Sequence, residues 1–291
     1  MVYSCERNRI SRSIIKNYAK TNGLENHIIF VEKEEFEAIS KTDVPDQVDI
    51  VVSDPFFFAS QLPWENYQTF VAVLRSLRAS GIVNNDAVIL PEKFRIKAMA
   101  FESDNLWKIR AAAGVVEDCN LSKFDEILLK AIELADGSVE AHSMWEYPGT
   151  ILSDPTTLLD MDLSLLSRCS SWSSVIRQAA DVRLDITASG ILNTVVLWTE
   201  SELDYCDSNS ILTDGLGTDW HKRSEVVGAR TSASDWDWYN RQAVYFFRQP
   251  FHKFKNEEQV LGTIIPKLTY DETMQELRIK FKVLKKPKKT K

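Results

Sequence analysis

An alternating β-α-β pattern over the first ninety residues constrains the fold more than any other feature of this sequence. Ile10, Ile14 and Tyr18 recur at helical spacing, and Gly23 is placed to end that helix. Strands that are separated by helices favour a parallel sheet with right-handed crossovers. The predicted strands are 2–5, 28–31, 48–52 and one that starts over 87–91, and a second helix covers about 65–79.

The pattern changes from about residue 91, where short apolar segments joined by irregular loops predict an all-β region. One amphipathic helix interrupts this region at 124–135, where Ile127, Leu128, Ile132 and Leu134 are apolar. Two interpretations of this helix stay open, namely an ordinary surface helix or an arm that docks on a partner. Predicted strands are 106–110, 182–187, 193–199, 242–247 and 277–283. The predicted fold class is therefore α/β plus all-β, divided into 1–90, 91–284 and a basic tail at 285–291.

Composition excludes several classes of protein. The 291 residues allow two modest domains, and the net charge of −7 does not favour a general nucleic-acid binder. The cysteines form no C-x-x-C pair and no Cys/His spacing typical of zinc, so we expect no metal site and a reducing compartment, the cytoplasm or also the nucleus. No apolar run reaches the roughly 18 residues that a membrane span needs. The cysteines are Cys5, Cys119, Cys169 and Cys206.

An acidic residue follows the first predicted strand. This strand is similar to the second strand of doubly wound folds, whose end commonly carries a carboxylate that binds a ribose. Glu6 occupies that position, although a solvated glutamate is an equally simple interpretation. The glycine-rich loop that should precede this strand and bind the cofactor is missing. The nearest match in the sequence, Gly215-Leu-Gly217, lies in the β-rich half. Only glycines let a backbone approach a cofactor closely. We therefore expect half of the cofactor pocket to lie outside this polypeptide, whose first strand is similar to the second strand of such a sheet.

Several segments resemble protein arginine methyltransferases. Residues 48–64 (VDIVVSDPFFFASQLPW) are similar to the fourth-strand region and following loop of that family. Residues 106–110 (LWKIR), 145–148 (WEYP) and 241–247 (RQAVYFF) resemble the second, C-terminal module of family members that carry two tandem modules. The resemblance runs from about Val2 to Val283. It implies a Rossmann-like half that binds S-adenosylmethionine, followed by a β-barrel with a helical dimerisation arm at about 116–142.

The resemblance also implies which residues would act in catalysis. Active members hold the substrate guanidinium between two glutamates nine positions apart in one loop. Here Asp54 occupies the first position and Pro63 the second, and Glu65 lies two residues further on. Two carboxylates can grip a planar, forked guanidinium, whereas one carboxylate alone cannot aim it in the same way. The clamp is therefore predicted to be broken.

Other family positions are altered as well. Trp238, Tyr239 and Asn240 stand where the family has Thr-His-Trp, so the histidine is lost. Glu6 matches the acid that binds the ribose, and Glu37 matches the acid near the adenine. Phe56, Phe57 and Phe58 could fill the cofactor pocket or simply belong to the core.

These losses predict a degenerate module that supports arginine methylation by pairing with a catalytic module, intramolecularly or as in a dimer. Arginine-containing protein substrates would then be reached through that module, and this chain alone would not bind S-adenosylmethionine. The alternative is an active protein arginine methyltransferase in its own right. A second alternative rests on residues 54–57 (DPFF), which are similar to the Asp-Pro-Pro-aromatic motif of enzymes that methylate nucleobase amino groups. The chain could also be one part of a longer two-module protein.

Overall fold

The computed structural model describes most of the chain, with gaps in several loops. The described residues are 1–33, 36–53, 62–135, 139–168, 172, 176, 181–203, 210–213, 230–231, 236, 241–254, 262–271, 273 and 276–285. The first ninety residues contain the predicted strands and helices. They are β1 (Val2–Ser4), α1 (Arg9–Thr21), β2 (Ile28–Phe30), a 3-10 helix (Phe36–Ala38), β3 (Val48–Val52), α2 (Pro63–Ala79) and β4 (Val83–Leu90).

The strands of this region pair in parallel, as the β-α-β pattern predicted, but among the described residues they form two separate two-stranded sheets and not one sheet. β1 pairs with β2, and β3 pairs with β4. Helix α1 begins after Asn8, whose side chain accepts hydrogen bonds from the main-chain N–H groups of Ile10 and Ser11. Its end is marked by Gly23, whose φ of 68° lies in the left-handed region that glycine tolerates best. Both ends of α1 therefore follow from local sequence.

The second half of the chain is rich in strands, also as predicted. Its elements are β5 (Lys93–Glu102), α3 (Asp104–Lys108), β6 (Val115–Val116), β7 (Cys119–Asn120), α4 (Ser122–Ala135), β8 (Val139–His142), β9 (Gly149–Ile151), β10 (Thr156–Asp162), α5 (Leu163–Arg168), β11 (Leu184–Ile186), β12 (Gly190–Leu203), β13 (Ser210–Thr213), β14 (Arg230–Thr231), β15 (Gln242–Phe254), β16 (Gly262–Asp271) and β17 (Glu276–Lys285). Short 3-10 turns such as Met144–Glu146 join some of them.

The larger sheet of this half has eight strands in the order β14-β9-β5-β12-β15-β8, with β10 beside β5 and β13 beside β12. A second sheet has the order β11-β16-β17. A single bridge between Ser153 and Ile186 connects the segment before β10 to β11. Within the described residues neither sheet closes on itself, so the structure shows the predicted β-rich half without the predicted closure of a barrel.

One predicted strand is wrong. Residues 106–110 were expected to be extended, but Asp104–Lys108 forms the short helix α3. Its Leu106 is fully buried, and Trp107 donates its indole N–H to the main-chain oxygen of Phe247 at 3.0 Å. A five-residue apolar segment has no periodicity that separates helix from strand, and here tertiary contacts select the helix.

A continuous apolar core joins the α/β half to the β-rich half. Helix α2 buries Tyr67, Phe70 and Leu74 in the same cluster that holds Phe94 and Ile96 of β5. The α2 side of this contact is reinforced by α5, because Arg75 donates to the main-chain oxygen of Leu166 at 2.9 Å. Among the described residues no helix is long and apolar enough to cross a membrane.

Candidate functional site

The candidate site lies where the parallel strands end, because ligands of such sheets bind beyond the carboxyl ends of the strands. Glu6 follows β1, Glu32 follows β2 and Ser53 follows β3. β1 and β2 run in the same direction, with Val2 opposite Ile28 and Ser4 opposite Phe30, so Glu6 and Glu32 lie at one edge.

Glu6 is half-buried and stabilises the turn that leads into α1. Its carboxylate accepts a hydrogen bond from the main-chain N–H of Asn8 at 2.7 Å. Its main-chain oxygen accepts from Nε of Arg12 at 2.9 Å. The residue predicted to bind a ribose therefore has a structural contact of its own, which orients the carboxylate towards the turn.

The predicted adenine acid, Glu37, belongs to the 3-10 helix Phe36–Ala38, and its side chain lies outside the described residues. The guanidinium of Arg7 lies 5.5 Å from the centre of the Phe36 ring. This contact brings the turn after β1 against the 3-10 helix. The structure thus places the segments that carry Glu6 and Glu37 next to each other.

The predicted guanidinium clamp is only partly described. Asp54 and Phe56, Phe57 and Phe58 lie outside the described residues. Pro63, at the second clamp position, is the first residue of α2 and is buried. The carboxylate of Glu65 accepts a hydrogen bond from the main-chain N–H of Leu62 at 3.1 Å. Acidic side chains at this position stabilise a helix start, since the first N–H groups have no partner inside the helix.

The segment that replaces the family's Thr-His-Trp also falls in a gap, because Trp238, Tyr239 and Asn240 lie outside the described residues. The nearby Trp236 is buried and packs edge-on against Phe101 and Trp198, with ring centres 6.0 and 6.1 Å away. Sequence reasoning did not single out Trp236.

A basic cavity beside α1 was also missed. It measures about 470 Å³ and is lined by Arg7, Arg9, Arg12, Ser13, Lys16 and Glu32. Arg9, Arg12, Ser13 and Lys16 follow the i, i+3, i+4, i+7 spacing of one helix face, and this spacing was visible in the sequence. The described residues contain no cluster of His, Cys, Asp or Glu that could hold a metal ion.

Helix α4 forms an exposed apolar surface on the β-rich half. Asp125, 5% exposed, anchors its start by accepting from the main-chain N–H groups of Ala113 and Gly114 at 2.9 and 2.8 Å. We define the α4 patch as the exposed apolar residues of α4 together with those of the adjacent β6. Its members and their exposed fractions are Phe124 (58%), Ile127 (71%), Leu128 (38%), Leu129 (40%), Val115 (67%) and Val116 (47%).

Of the apolar residues predicted along this helix, Ile127 and Leu128 are exposed and Ile132 is half-buried. The side chain of Leu134 lies outside the described residues. The predicted amphipathic helix is therefore present, and its apolar residues are largely uncovered in this chain.

Comparison with known proteins relates the whole chain to one enzyme. The chain is 30% identical over 246 residues to "Protein arginine N-methyltransferase 7" of Drosophila persimilis, which covers 84% of this chain and 32% of the relative. It is 31% identical over 249 residues to the protein of the same name from Drosophila simulans, with the same coverage. This chain is related to protein arginine N-methyltransferase 7. The chicken (Gallus gallus) protein of that name is 25% identical over 290 residues, 97% of this chain and 38% of the relative.

The chain thus spans about a third of the length of the protein arginine N-methyltransferase 7 relatives it matches. No family model matches it. Its fold is similar to that of a solved structure, "Trypanosoma brucei PRMT1 enzyme-prozyme heterotetrameric complex with AdoHcy". The TM-score is 0.64 with 13% sequence identity, over 99% of this chain and 77% of that one. The chain therefore shares the fold of that structure, and the relatives confirm the resemblance found in the sequence.

Proposed function

We propose that this chain is the second, non-catalytic module of a protein arginine N-methyltransferase that uses S-adenosylmethionine. It supports arginine methylation by pairing with a catalytic module through the α4 patch. The observation that carries this proposal is the exposure of that patch on a helix whose start is anchored by Asp125. In this proposal residues 1–90 are the methyltransferase half, 91–284 are a β-barrel domain with its arm at about 116–142, and the protein acts in the cytoplasm or nucleus.

The physical reason for pairing is the hydrophobic effect. Phe124, Ile127 and Leu128 lie at i, i+3 and i+4, so they form one continuous strip along the helix. Removing apolar surface from water contributes about 25 cal/mol per Å². Contiguous apolar surface of this kind marks protein interaction sites. The matched part is only 32% of the relative's length, so the rest of such a protein could supply a second module of similar fold on the same chain.

The residue at the second clamp position supports the proposed lack of catalysis, because it carries no carboxylate. A proline begins α2 there, and the nearest carboxylate, Glu65, is bonded to the main-chain N–H of Leu62. To serve as the second carboxylate of the guanidinium clamp, Glu65 would have to break a hydrogen bond that stabilises the start of α2. Glu6 is likewise bonded within its own turn.

Sedimentation of the chain with the catalytic, N-terminal half of protein arginine N-methyltransferase 7 tests the pairing. We expect a complex with the unchanged chain and at least about tenfold weaker association for Ile127→Glu, since a buried charge without a partner costs several kcal/mol. Lys130→Gln is the matched control, because it lies on the same helix and changes the net charge by the same amount. Absence of a complex with the unchanged chain would refute the proposal.

Calorimetry with S-adenosylmethionine separates this proposal from the alternative of an independent enzyme. We expect no saturable heat with this chain alone. Saturable binding, together with methyl transfer to an arginine peptide in the absence of any other module, would establish the alternative instead.

A further inference from the structure

The basic cavity beside α1 is a feature that pairing through α4 does not explain. Among the described residues, its walls carry three guanidinium groups and one ammonium group, with Glu32 as the single carboxylate. This concentration of positive charge occurs in a chain whose net charge is −7. A positive cavity on an acidic protein is a local departure from the overall charge pattern.

The position of these cations is electrostatically unfavourable for the helix alone. The start of a helix carries a partial positive charge, so acidic residues usually occupy its first turn. The first turn of α1 has no acidic residue, and Arg7, Arg9 and Arg12 surround it instead. Departures from such local rules are expected at functional sites.

The cavity walls are held in place by specific contacts. Arg12 donates from Nε to the main-chain oxygen of Glu6 at 2.9 Å and from its terminal nitrogen to that of Arg7 at 3.2 Å. Lys16 forms an ion pair with Glu32 and lies 5.3 Å from the centre of the Phe30 ring. The ion pair with Lys16, and then the charge of Arg12, lower the pKa of Glu32, so its carboxylate is ionised at neutral pH. Arg12, Lys16 and Glu32 are therefore oriented before any ligand arrives.

We propose that this cavity binds a small phosphate-bearing molecule of about nucleotide size. Guanidinium groups bind phosphate oxygens in a forked, bidentate manner, and an ammonium group adds a point charge. The lining residues are all charged or polar, which disfavours an apolar ligand. A volume of about 470 Å³ exceeds what inorganic phosphate needs and lies within the range of small-molecule sites.

Calorimetric titration of the intact chain with inorganic pyrophosphate, adenosine monophosphate and adenosine tests the proposal. We expect saturable binding of both phosphate compounds and none of adenosine. The adenosine titration also distinguishes this cavity from a site that binds the adenosine part of S-adenosylmethionine. The proposal of a phosphate site and the proposal of a non-catalytic module can therefore fail independently. The phosphate titrations distinguish a site for phosphate alone from one that also contacts the nucleoside.

Charge variants locate the binding. The double variant Arg9→Gln/Lys16→Gln should weaken pyrophosphate binding by at least about tenfold, since two charged donors to the phosphate oxygens are lost. Glu32→Gln should strengthen it, because the competing carboxylate is lost. Lys20→Gln, on the last turn of the same helix and outside the cavity, is the matched control and should bind as the unchanged chain does.

Three results would overturn the proposal. They are no saturable binding of pyrophosphate, equal binding to Arg9→Gln/Lys16→Gln and Lys20→Gln, or binding of adenosine as strong as that of its monophosphate. If circular dichroism shows that the double variant does not fold, the sign of the Glu32→Gln effect decides the question, because unchanged or weaker binding then contradicts the proposal.

Discussion

The hydroxyl of Tyr67 on α2 forms a hydrogen bond with Oγ of Ser201 on β12, and both groups are buried. The Tyr67 ring also stacks on Phe94 of β5, with ring centres 4.1 Å apart and planes 6° from parallel. One side chain of the α/β half therefore contacts two strands of the β-rich sheet. This relationship explains how the two halves share a core although their secondary structure differs.

Tyr67→Phe should lower the free energy of unfolding by about 1–2 kcal/mol, because Oγ of Ser201 loses its partner in a buried position. Urea unfolding monitored by fluorescence measures this change. Tyr18→Phe is the control, since Tyr18 is 67% exposed and should change stability little. Equal effects of the two substitutions would contradict a structural role for the Tyr67–Ser201 contact.

Asp125→Ala should release the start of α4 from the main chain at Ala113 and Gly114. We expect a loss of about 1–3 kcal/mol, since two N–H groups lose a charged acceptor. Hydrogen exchange should accelerate at Ala113, Gly114 and the first turn of α4. Glu126→Ala is the control, because Glu126 pairs with Lys123 on the exposed surface and should leave those amides protected.

The same Asp125→Ala variant should also pair less well with a catalytic module, although it keeps every apolar residue of the α4 patch. A loosened helix has to be ordered again on binding, and that ordering lowers affinity. Unchanged affinity in the sedimentation experiment would show that the anchor has no part in pairing.

Gly149→Ala should destabilise the sheet, because a Cβ atom at Gly149 would overlap the main-chain oxygen of Glu102 and the ring of Phe101. Overpacking of this kind costs about 1–3 kcal/mol. Thermal unfolding should show a lower midpoint. Gly190→Ala is the comparison variant. A Cβ atom at Gly190 would meet the ends of the Glu102 and Leu152 side chains, which can move, so we expect a smaller loss of stability.

His142 should make stability depend on pH. Burial lowers its pKa first, and the charges of Arg110 and Arg241 lower it further, even though Glu140 lies 3.1 Å from Nε2. A histidine whose folded pKa lies below its unfolded value near 6.5 binds fewer protons when folded. The chain should therefore lose stability as pH falls below about 6.5. His142→Gln should flatten that part of the profile in urea unfolding measured from pH 7 to pH 5.

Much of the α/β half could be predicted, because its signals are local. Apolar strands of three to five residues and the helix that begins after Asn8 and ends near Gly23 appear where their spacing indicated. The central strand β5 was missed, although Lys93, Arg95 and Lys97 alternate with apolar residues as in a half-buried strand. Its burial alternates because Phe94, Ile96 and Ala98 face the apolar core and the basic residues face away from it.

In the candidate site, too, some features could be predicted from local sequence and others depend on the tertiary structure. The position of Glu6 after the first strand was predictable from spacing, whereas the loss of the second clamp carboxylate at Pro63 stays a prediction from the resemblance. The contacts that occupy Glu6 and Glu65 were not predictable, because they depend on how each turn folds back on its own main chain. The basic cavity needed Glu32 from the end of β2 beside α1, and only the parallel pairing of β1 with β2 brings it there.

Local sequence was sufficient for the type and order of most elements, since periodicity, caps and residue identity act over a few neighbouring positions. The folded chain alone decided that α2 joins both halves, that Leu106 lies in a helix, and that the α4 patch stays uncovered. These outcomes depend on contacts between residues far apart in the chain, such as the 134 positions that separate Tyr67 from Ser201. No local pattern encodes such contacts, because their free energy arises only when the core has formed.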